Sequence, residues 1–403
     1  MTSLQSIVVV GGSLAGLRAA EALRRQGYAG RLSLVGEEKH RPYDRPPLSK
    51  EVLRGEREPA QIALTKDDSF DALELDLHLG QRARALDVKG RSVQLENGET
   101  LGFDGLVIAT GATPRRLPAT PALAGIHTLR SLDNCLAIRA ELERSPRIAV
   151  VGAGFIGAEV AASFRQRGLE VTLIEALPRP LAQALGPEIG DVCSAVHRDH
   201  GVDLRLGVLV EGFDGDRRVE RVRLGDGTTV AADLVVVGIG VAPQTGWLET
   251  SGLALDDGVV CDESCATAVP GIVAAGDVAR WHNPRFGVSM RVEHWTNAVE
   301  QASAAAERLL AGPDAATPFA PVPFVWSDQY DCKIQSAGWV TPQDDVRIVH
   351  GSLEERRFVA LYGRAGRLTG AVAFNRVRQL MGYRRMMREG VSWEEALARA
   401  EAT

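Results

Sequence analysis

Residues 7–16 read IVVVGGSLAG, and residues 148–157 read IAVVGAGFIG. Each stretch joins a run of apolar β-forming residues to a glycine-rich turn and then to a helical pattern, which is the order found in dinucleotide-binding βαβ units. A second β-run follows each copy and ends in an acid, Glu37 in the first and Glu175 in the second. Two copies predict that one chain holds two dinucleotides, and in such enzymes one dinucleotide usually reduces the other.

The glycines of this motif have separate physical tasks. The first permits the tight turn, the second removes a side chain that would collide with the pyrophosphate, and the third lets the helix pack closely on the strand. The helix then directs its free N–H groups and positive dipole end at the phosphates. The second copy is complete, with Gly152, Gly154 and Gly157. The first copy has Ser13 at the middle position, so we expect the backbone there to shift slightly.

The composition is that of an ordinary soluble globular protein. The chain has 403 residues, 45% of them hydrophobic and 24% charged, which is enough for two or three domains. The net charge of −6 disfavours general nucleic-acid binding. No apolar run has the length of a transmembrane helix, and a β-run begins by Ile7, which leaves no room for a signal peptide. We therefore expect a cytoplasmic protein that binds neither nucleic acid nor membrane.

The two halves of the chain repeat one plan, a βαβ unit followed by strands and then by a strand that ends in glycine. This duplication predicts an α/β fold with two nested Rossmann-like dinucleotide-binding domains and, after them, a C-terminal α+β domain. The expected domains are residues 1–112 with 243–318 for the first dinucleotide, residues 113–242 for the second, and residues 319–403 for the C-terminal domain.

Three segments have more specific predictions. Residues 41–57, rich in proline, arginine and lysine, are expected to form a loop that precedes a helical stretch. Residues 77–111 are typical of a β-meander, with Asn97-Gly98 as its hairpin turn. A helix is expected to begin near Thr296.

The cysteines indicate a reducing compartment. They are Cys135, Cys193, Cys261, Cys265 and Cys332. An odd number without a Cys-x-x-Cys motif fits reduced thiols. Cys261 and Cys265 fall in a predicted strand and the turn after it, where a metal or redox role stays open beside a structural one. We predict no metal site.

Several segments outside the glycine turns have a distinctive sequence. They are RPYDRPPLSK at residues 41–50, ATG at 109–111, AAGD at 274–277, HWTNA at 294–298 and WSDQY at 326–330. With the two fingerprints, they resemble the FAD- and NADH-dependent ferredoxin reductases of oxygenase systems over essentially the whole chain. The resemblance implies a glutathione-reductase-like arrangement, with FAD in the first dinucleotide domain and NADH in the second.

The resemblance also implies roles for individual residues. Lys50 would lie near flavin N5, Asp277 would hydrogen-bond the ribityl chain, and Trp295 would meet the flavin ring through its backbone. The residues expected to bind FAD are Gly11, Ser13, Ala15, Gly16, Glu37, Arg45, Lys50, Ala83, Thr110, Gly111, Arg130, Gly276, Asp277 and Trp295. Those expected to bind NADH are Gly152, Gly154, Ile156, Gly157, Glu159, Glu175 and Gly240.

Lys50 and Glu159 are the candidate catalytic residues, in the sense that they position reacting groups. NADH would pass a hydride to flavin N5, and Lys50 would help to stabilise the negative charge of the reduced flavin. Glu159 would lie near the nicotinamide amide and pair with Lys50. Other interpretations remain: Lys50 as a solvated loop cation, Glu159 as an acid that merely favours a helix N-terminus, Asp277 as a helix cap, and Trp326 as core rather than part of an electron exit route.

Charge at the second fingerprint predicts which nicotinamide cofactor is used. Glu175 would accept hydrogen bonds from a ribose 2′-OH and repel a 2′-phosphate. Arg179 is close in sequence and would soften that preference. We predict NADH over NADPH.

The resemblance implies that the reduced flavin passes single electrons to a [2Fe–2S] ferredoxin that feeds a haem monooxygenase or a Rieske dioxygenase. Such ferredoxins are typically acidic, so a transient, basic docking surface is expected. The candidate is an arginine cluster near the C-terminus, whose alternative is a solvated helical face. Its members are Arg376, Arg378, Arg384, Arg385 and Arg388. Both a monomer and a homodimer are compatible with the sequence.

The main alternative is an NADH oxidase, a peroxidase or another pyridine nucleotide-disulfide reductase-like enzyme with a different acceptor. Those enzymes need a redox cysteine against the flavin, yet residues 37–60 contain no cysteine. Disulfide reductases also use a C-terminal His-Pro, and no histidine of this chain precedes a proline. A second alternative is a flavoprotein of the apoptosis-inducing type that acts by binding nucleic acid, which the acidic net charge disfavours.

Overall fold

The computed structural model describes residues 4–118 and 120–402. In these ranges no helix is long and apolar enough to cross a membrane. The helices are α1 (Leu14–Arg25), α2 (Glu51–Arg54), α3 (Asp67–Asp71), α4 (Leu132–Leu142), α5 (Phe155–Gln166), α6 (Ala182–Leu185), α7 (Pro187–Asp199), α8 (Trp295–Ala311), α9 (Val377–Glu389) and α10 (Trp393–Glu401).

The strands of the first half of the chain are β1 (Ser6–Val10), β2 (Arg31–Gly36), β3 (Asp76–Leu79), β4 (Ala83–Asp87), β5 (Ser92–Leu95), β6 (Thr100–Gly102), β7 (Gly105–Ile108), β8 (Ala112–Pro114), β9 (Ile126–Thr128), β10 (Ile148–Val151), β11 (Val171–Glu175), β12 (Asp203–Leu206) and β13 (Val210–Asp214). Those of the second half are β14 (Arg221–Leu224), β15 (Thr229–Ala231), β16 (Leu234–Val237), β17 (Val241–Pro243), β18 (Val259–Cys261), β19 (Ile272–Ala274), β20 (Ala279–Asn283), β21 (Val288–Met290), β22 (Phe324–Gln329), β23 (Cys332–Gly338), β24 (Asp345–Ser352), β25 (Arg357–Arg364) and β26 (Arg367–Phe374).

The chain forms two compact units. The first unit comprises Met1–Asp44, Ala63–Thr113 and Ala242–Pro323, and the second comprises Arg45–Ile62, Pro114–Val241 and Phe324–Thr403. The expected loop at 41–57 is not a plain loop, because a 3₁₀ turn at Pro46–Ser49 and α2 lie within it. Proline fixes the backbone dihedral that a first helical position needs, so the prolines here start a helical turn.

A parallel sheet is the centre of the first unit. Its strand order is β19-β7-β1-β2-β3, and every neighbouring pair is parallel. The central strand β1 is buried from Ile7 to Val10, as expected for a parallel strand covered on both faces. The sequence predicted β1, α1 and β2 as a βαβ unit, and the structure confirms it.

Residues 77–111 do not form one meander, so that prediction was wrong in part. Strands β3 and β7 join the parallel sheet, and only β4, β5 and β6 form an antiparallel meander. The hairpin turn at Asn97-Gly98 is confirmed, with the Leu95 N–H donating to the Glu99 carbonyl at 2.8 Å. Short apolar runs do not reveal whether a strand pairs with its sequence neighbour or with a distant strand.

The second unit repeats the parallel sheet. The order β12-β11-β10-β16-β9 has β10 at its centre, as β1 is in the first unit, and all its pairs are parallel. A small antiparallel sheet of β13, β14 and β15 accompanies it. Two Rossmann-like sheets in one chain confirm the predicted α/β fold class.

Residues 324–403 form the C-terminal part of the second unit. Five antiparallel strands in the order β22-β23-β26-β25-β24 make one sheet, and α9 packs on β26 and β23. Helix α7 shares an apolar core with this sheet, in which Cys193 and Ile189 pack near Phe358 and Phe374. This antiparallel sheet with helices confirms the predicted α+β character.

Candidate dinucleotide and flavin sites

The first fingerprint is a turn in which two glycines cannot be replaced by a residue with a side chain. The Gly11 N–H donates to the Val35 carbonyl at 2.8 Å, and its φ is +133°. A β-carbon on Gly11 would lie 2.0 Å from the Ala109 carbonyl oxygen, and one on Gly16 would lie 1.8 Å from the Gly11 carbonyl oxygen. The turn is therefore closed on the protein side by backbone. Ser13 occupies the N-cap position of α1, and its side chain makes no capping hydrogen bond.

The second fingerprint has the same construction. The Gly152 N–H donates to the Ile174 carbonyl at 2.7 Å, and Gly152 has φ +96°. A β-carbon on Gly152 would lie 2.3 Å from the Gly238 carbonyl oxygen, and one on Gly157 would lie 1.9 Å from the Gly152 carbonyl oxygen.

The middle glycine, Gly154, has a different environment from its neighbours. Apart from Gly154 itself and its two neighbours in the chain, no heavy atom of the described residues lies within 4 Å of the place where its β-carbon would be. Gly154 also caps the N-terminus of α5, where N–H groups are free to bind an anion. Protein packing does not explain this glycine, whereas close approach of a pyrophosphate does, so the turn fits a dinucleotide.

The two acids predicted to bind ribose are held in different ways. Glu175 accepts the backbone N–H of Ala153 at 2.6 Å and that of Leu177 at 2.9 Å. Glu37, whose side chain is 53% exposed, accepts the Gln244 side-chain amide at 2.9 Å and lies 3.7 Å from the Arg82 guanidinium. Sequence reasoning did not find Gln244 or Arg82, which come from distant parts of the chain.

Arg179 does not lie against Glu175 by an ion pair. Its guanidinium donates to the Asp191 carboxylate on α7 at 2.7 Å. The Arg179 guanidinium is therefore paired with a carboxylate other than that of Glu175.

The end of β7 and the start of α8 complete the candidate FAD site of the first unit. Thr110 donates its hydroxyl to the Gln244 carbonyl at 2.9 Å, and Gly111, at φ +68°, accepts the Gln244 N–H at 2.9 Å. Gly276, also at positive φ, would place a β-carbon 2.9 Å from that of Ala15, so this turn lies against the fingerprint helix. Asp277 follows it in a 3₁₀ turn, where its carbonyl accepts from Arg291 at 3.1 Å.

His294 and Trp295 open helix α8, one residue before the predicted start at Thr296. The Trp295 indole N–H donates to the Asp44 carboxylate at 2.8 Å. His294 Nδ1 is buried and has no hydrogen-bond partner in the described ranges. Burial lowers the pKa of His294 to about 4, although the Asp277 carboxylate acts in the opposite direction. A buried polar nitrogen of this kind fits a site completed by a ligand.

Three further predicted residues differ in their surroundings. Ala83 is buried at the start of β4 and pairs with Leu95. Ile156, the second residue of α5, is 47% exposed. Gly240, at φ +89°, accepts the Arg115 N–H at 2.9 Å.

Three predicted FAD residues, Arg45, Lys50 and Arg130, belong to the second unit. Arg45 donates to the Arg130 carbonyl at 2.5 Å, which joins the segment before α2 to the segment before α4. The Cys135 thiol of α4 donates to the Leu48 carbonyl at 3.2 Å.

Lys50 and Glu159 form a buried ion pair. The Lys50 ammonium lies 2.5 Å from Glu159 Oε2, and the two residues are 7% and 3% exposed. Glu159 also accepts the Ser49 hydroxyl at 2.6 Å on Oε2 and the Ser327 hydroxyl at 2.7 Å on Oε1. The interpretation of Lys50 as a solvated loop cation was therefore wrong. Ser49 and Ser327 were missed as partners because nothing in their local sequence indicates a distant carboxylate.

Comparisons with known proteins agree with this arrangement. The family model described as pyridine nucleotide-disulphide oxidoreductase matches residues 5–302, and the model described as reductase C-terminal matches residues 324–403. The ferredoxin reductase subunit of the 5,5′-dehydrodivanillate O-demethylase of a Sphingobium species is 38% identical over 388 residues, covering 95% of this chain and 93% of the relative. Rhodocoxin reductase of Rhodococcus erythropolis is 37% identical over 384 residues, with coverage of 95% and 89%.

The chain belongs to the ferredoxin reductases of oxygenase systems. A solved relative has the same fold: the crystal structure of the covalent putidaredoxin reductase–putidaredoxin complex matches with a TM-score of 0.91 and 33% identity, covering 96% of this chain and 93% of that one. The resemblance seen in the sequence motifs is thereby confirmed. Membership of this reductase family makes the chain an oxidoreductase and implies FAD and NADH as its cofactors.

The cysteines distinguish this reductase from disulfide-reducing enzymes on the same fold. All five are buried and free of disulfides in the described structure. Burial raises the pKa of Cys135, Cys193 and Cys261 to about 12 and that of Cys332 to about 11. The pKa of Cys265 is raised well above its usual value for the same reason. Since the thiolate is the reactive form, these thiols are unsuited to redox catalysis at neutral pH.

Proposed function

We propose that this chain is an NADH-dependent flavoprotein reductase that passes electrons from NADH through FAD to a [2Fe–2S] ferredoxin serving an oxygenase. The observation that carries the proposal is the presence of two strand–turn–helix cradles in one chain, of which the second leaves open space at Gly154. The names of the relatives support a ferredoxin as acceptor. The buried thiols give no support to a disulfide or peroxide acceptor.

The proposed domain roles follow the fingerprints. Residues 1–112 with 243–318 would bind FAD, residues 113–242 would bind NADH, and residues 319–403 would form the C-terminal domain. Bound FAD supplies the redox chemistry, since it accepts a hydride and gives up electrons singly.

In the proposed FAD site the backbone of the first turn and the N-terminus of α1 would hold the pyrophosphate. Glu37 would accept from the adenosine ribose, and Asp277 from the ribityl chain. Trp295, fixed to Asp44 by its indole N–H, would present its backbone to the flavin ring. Arg130 and Arg45 would also contact the cofactor.

In the proposed NADH site the N-terminus of α5 would hold the second pyrophosphate at Gly154. Glu175 is pre-oriented by two backbone N–H groups, so its remaining lone pairs would accept the ribose hydroxyls at little entropic cost. A 2′-phosphate in that position would meet the same carboxylate and be repelled. We therefore propose NADH as the preferred donor.

Lys50 and Glu159 would work as a pair. The Lys50 ammonium would stabilise negative charge on the reduced cofactor, and Glu159 would hold that ammonium in place and orient the nicotinamide amide. The pair is buried, so its electrostatic effect is not screened by water as a surface pair would be.

The ferredoxin would dock on α9 through an exposed face of mixed character. Arg378 and Arg385 are exposed on this helix together with Val377 and Met381, which are 38% and 50% exposed. Arg384 is not on this face: it is 8% exposed and its guanidinium lies 5.3 Å from the centre of the Phe324 ring. We propose an acidic partner because the exposed arginines of α9, Arg378, Arg385 and Arg388, outnumber its one exposed acid, Glu389.

The first experiment is an anaerobic titration of the FAD-loaded protein with NADH, followed by a [2Fe–2S] ferredoxin. Bleaching of the flavin and its return on addition of ferredoxin is the expected result. Bleaching without return would overturn the proposed acceptor, and no bleaching would overturn the NADH site.

Docking is tested by charge reversal. The double variant Arg378→Glu/Arg385→Glu should raise the KM for ferredoxin about tenfold and leave dye reduction by NADH unchanged. The matched control is Arg25→Glu/Arg198→Glu, which changes the net charge equally at exposed positions on α1 and α7. Equal effects of the two double variants would remove α9 as the docking surface.

A further inference from the structure

The Glu159 carboxylate is at the junction of three segments of the second unit. It lies on α5, it accepts from Ser49 and Lys50 before α2, and it accepts from Ser327 on β22. Each oxygen has a donor, and the three donors suit an ionised carboxylate, which only accepts hydrogen bonds. The C-terminal sheet therefore contributes one of the groups that hold the ion pair.

Ser327 is itself fixed from behind. The Gln329 side-chain amide donates to the Ser327 hydroxyl oxygen at 3.2 Å, and the two residues are 1% and 0% exposed. Because that oxygen accepts from Gln329, the single hydroxyl hydrogen of Ser327 is left to point at Glu159. The direction of the hydrogen bond is thus set by two residues on the same face of β22.

A second contact fixes the Lys50 segment to α5. Ser163, one helical turn after Glu159, donates its hydroxyl to the Ser49 carbonyl at 2.6 Å and is 1% exposed. The backbone next to Lys50 is therefore held independently of Glu159. Ser327 therefore orients the Glu159 carboxylate, whereas the backbone next to Lys50 is held by Ser163.

We propose that Ser327, supported by Gln329, is a positioning residue that keeps the Glu159 carboxylate directed at Lys50. This inference rests on the proposed function, in which Lys50 acts on the flavin. Removal of the hydroxyl leaves Oε1 buried without its donor, which is costly for a charged group. The carboxylate is then less firmly directed at Lys50, and the charge of Lys50 is less compensated.

The test uses the FAD-loaded protein and the variants Ser327→Ala, Ser327→Thr and Ser336→Ala. Threonine keeps the hydroxyl and should restore most of the behaviour. Ser336 is a matched control because it is a buried serine, 8% exposed, on the neighbouring strand β23 and outside the network defined above.

The first readout needs no nicotinamide. Trace acetylation with acetic anhydride, followed by peptide mass spectrometry, gives the reactivity of Lys50 relative to the exposed Lys333 in the same molecule. Ser327→Ala should raise the relative reactivity of Lys50 about tenfold, and Ser336→Ala should leave it unchanged. Unchanged reactivity in Ser327→Ala would overturn the proposal even where NADH reduces the flavin normally.

The second readout separates chemistry from binding. In anaerobic stopped-flow reduction by NADH, Ser327→Ala should lower the limiting rate about tenfold and change the NADH dissociation constant less than about twofold. The flavin midpoint potential should rise, because a less compensated Lys50 favours the anionic reduced flavin, while the rate falls because Glu159 no longer orients the nicotinamide amide.

A double-mutant cycle shows whether Ser327 acts through Glu159. In the Glu159→Gln background, Ser327→Ala should lower the limiting rate by less than about twofold further. Two effects that multiply would mean an independent, merely structural role and would overturn the proposal. Failure of the wild type to be reduced by NADH would instead overturn the proposed function and leave the Lys50 labelling result to decide the inference.

Discussion

The two fingerprints of this chain share their protein-facing side and differ in the side that faces outward. In both turns the first and last glycines lie against backbone carbonyl oxygens, at distances that no β-carbon tolerates. The middle position is serine in one turn and an unobstructed glycine in the other. The folding requirement is therefore identical in the two copies, whereas the contact with the ligand was free to diverge.

The acids that follow the two fingerprints, Glu37 and Glu175, also differ in what surrounds them. Glu37 is held by the side chains of Gln244 and Arg82, and its side chain is half exposed. Glu175 is held by two backbone N–H groups of its own unit. The carboxylate of Glu37 is therefore close to a cation, whereas the hydrogen-bond donors to Glu175 described above are uncharged backbone groups.

The largest expected effect is a loss of stability when a glycine that packs against backbone in either fingerprint is replaced. Gly16→Ala and Gly157→Ala should each lower the free energy of unfolding by about 3 kcal/mol, because the new β-carbon meets a backbone oxygen that cannot move aside. Urea unfolding measures this. Gly102→Ala is the control, since its β-carbon would meet no described atom within 4 Å. Stability of Gly157→Ala equal to that of the control would mean that the turn is not closed as described.

The next effect compares the buried histidines of the two units. His197 is fully buried beside Tyr330, and burial lowers its pKa to about 4. The unfolded chain, with a pKa near 6.5, binds the proton first, so the stabilisation is complete above pH 6.5 and is lost as the pH falls toward 4. Between pH 7.5 and pH 5, the wild type should lose about 2 kcal/mol more than His197→Asn.

Denaturant unfolding at both pH values checks this, with His282→Asn at an exposed position as the control. Burial also lowers the pKa of His294 in the first unit to about 4, so His294→Asn should reduce the pH dependence by a similar amount. Equal pH dependence in the wild type and in His197→Asn would contradict the proposed cause.

The third expected effect, on the preference for NADH over NADPH, distinguishes Glu175 from Glu37. Glu175→Ala should reduce the preference for NADH over NADPH about tenfold, the value of one hydrogen bond to a charged group. Glu37→Ala should leave that preference unchanged, because Glu37 and its partners Gln244 and Arg82 belong to the first unit, whereas the proposed NADH site is in the second. Ratios of kcat/KM for the two nucleotides measure both. The same change of preference in both variants would show that the acids are not specialised.

The smallest expected effect concerns the middle position of the fingerprint, which is Ser13 in the first copy and Gly154 in the second. Gly154→Ser gives the second turn the residue of the first, and it should raise the KM for NADH about fivefold, since a small steric mismatch costs about 1 kcal/mol. The melting temperature should not change, because the open space at Gly154 accepts the side chain. A loss of stability in Gly154→Ser would mean that the protein itself, and not a ligand, requires this glycine.

Much of the fold could be predicted because its signals are local. The strand, the glycine turn and the helix are adjacent in sequence, so Gly11, Gly16, Gly152 and Gly157 indicated their own geometry. The β-meander was overextended because β3 and β7 pair with strands far away in sequence, and short apolar runs do not identify their partners.

The residues of the candidate site that lie in local sequence motifs could be predicted, and the others could not. Glu159 and Lys50 were named from sequence segments that resemble a family, and the structure brings them to 2.5 Å. Ser327, Gln244 and Arg82 could not be found in this way, because a serine, glutamine or arginine acquires its partner only when distant strands and loops meet.

The sequence by itself determined two nucleotide cradles, the acids that follow them and the absence of a cysteine where thiol enzymes need one. Tertiary structure alone decided that the Arg45–Ile62 segment folds with the second unit and that β22 supplies a hydroxyl to Glu159. The reason is that backbone conformation follows from neighbours in sequence, whereas the compensation of a buried charge depends on every chain segment that reaches it.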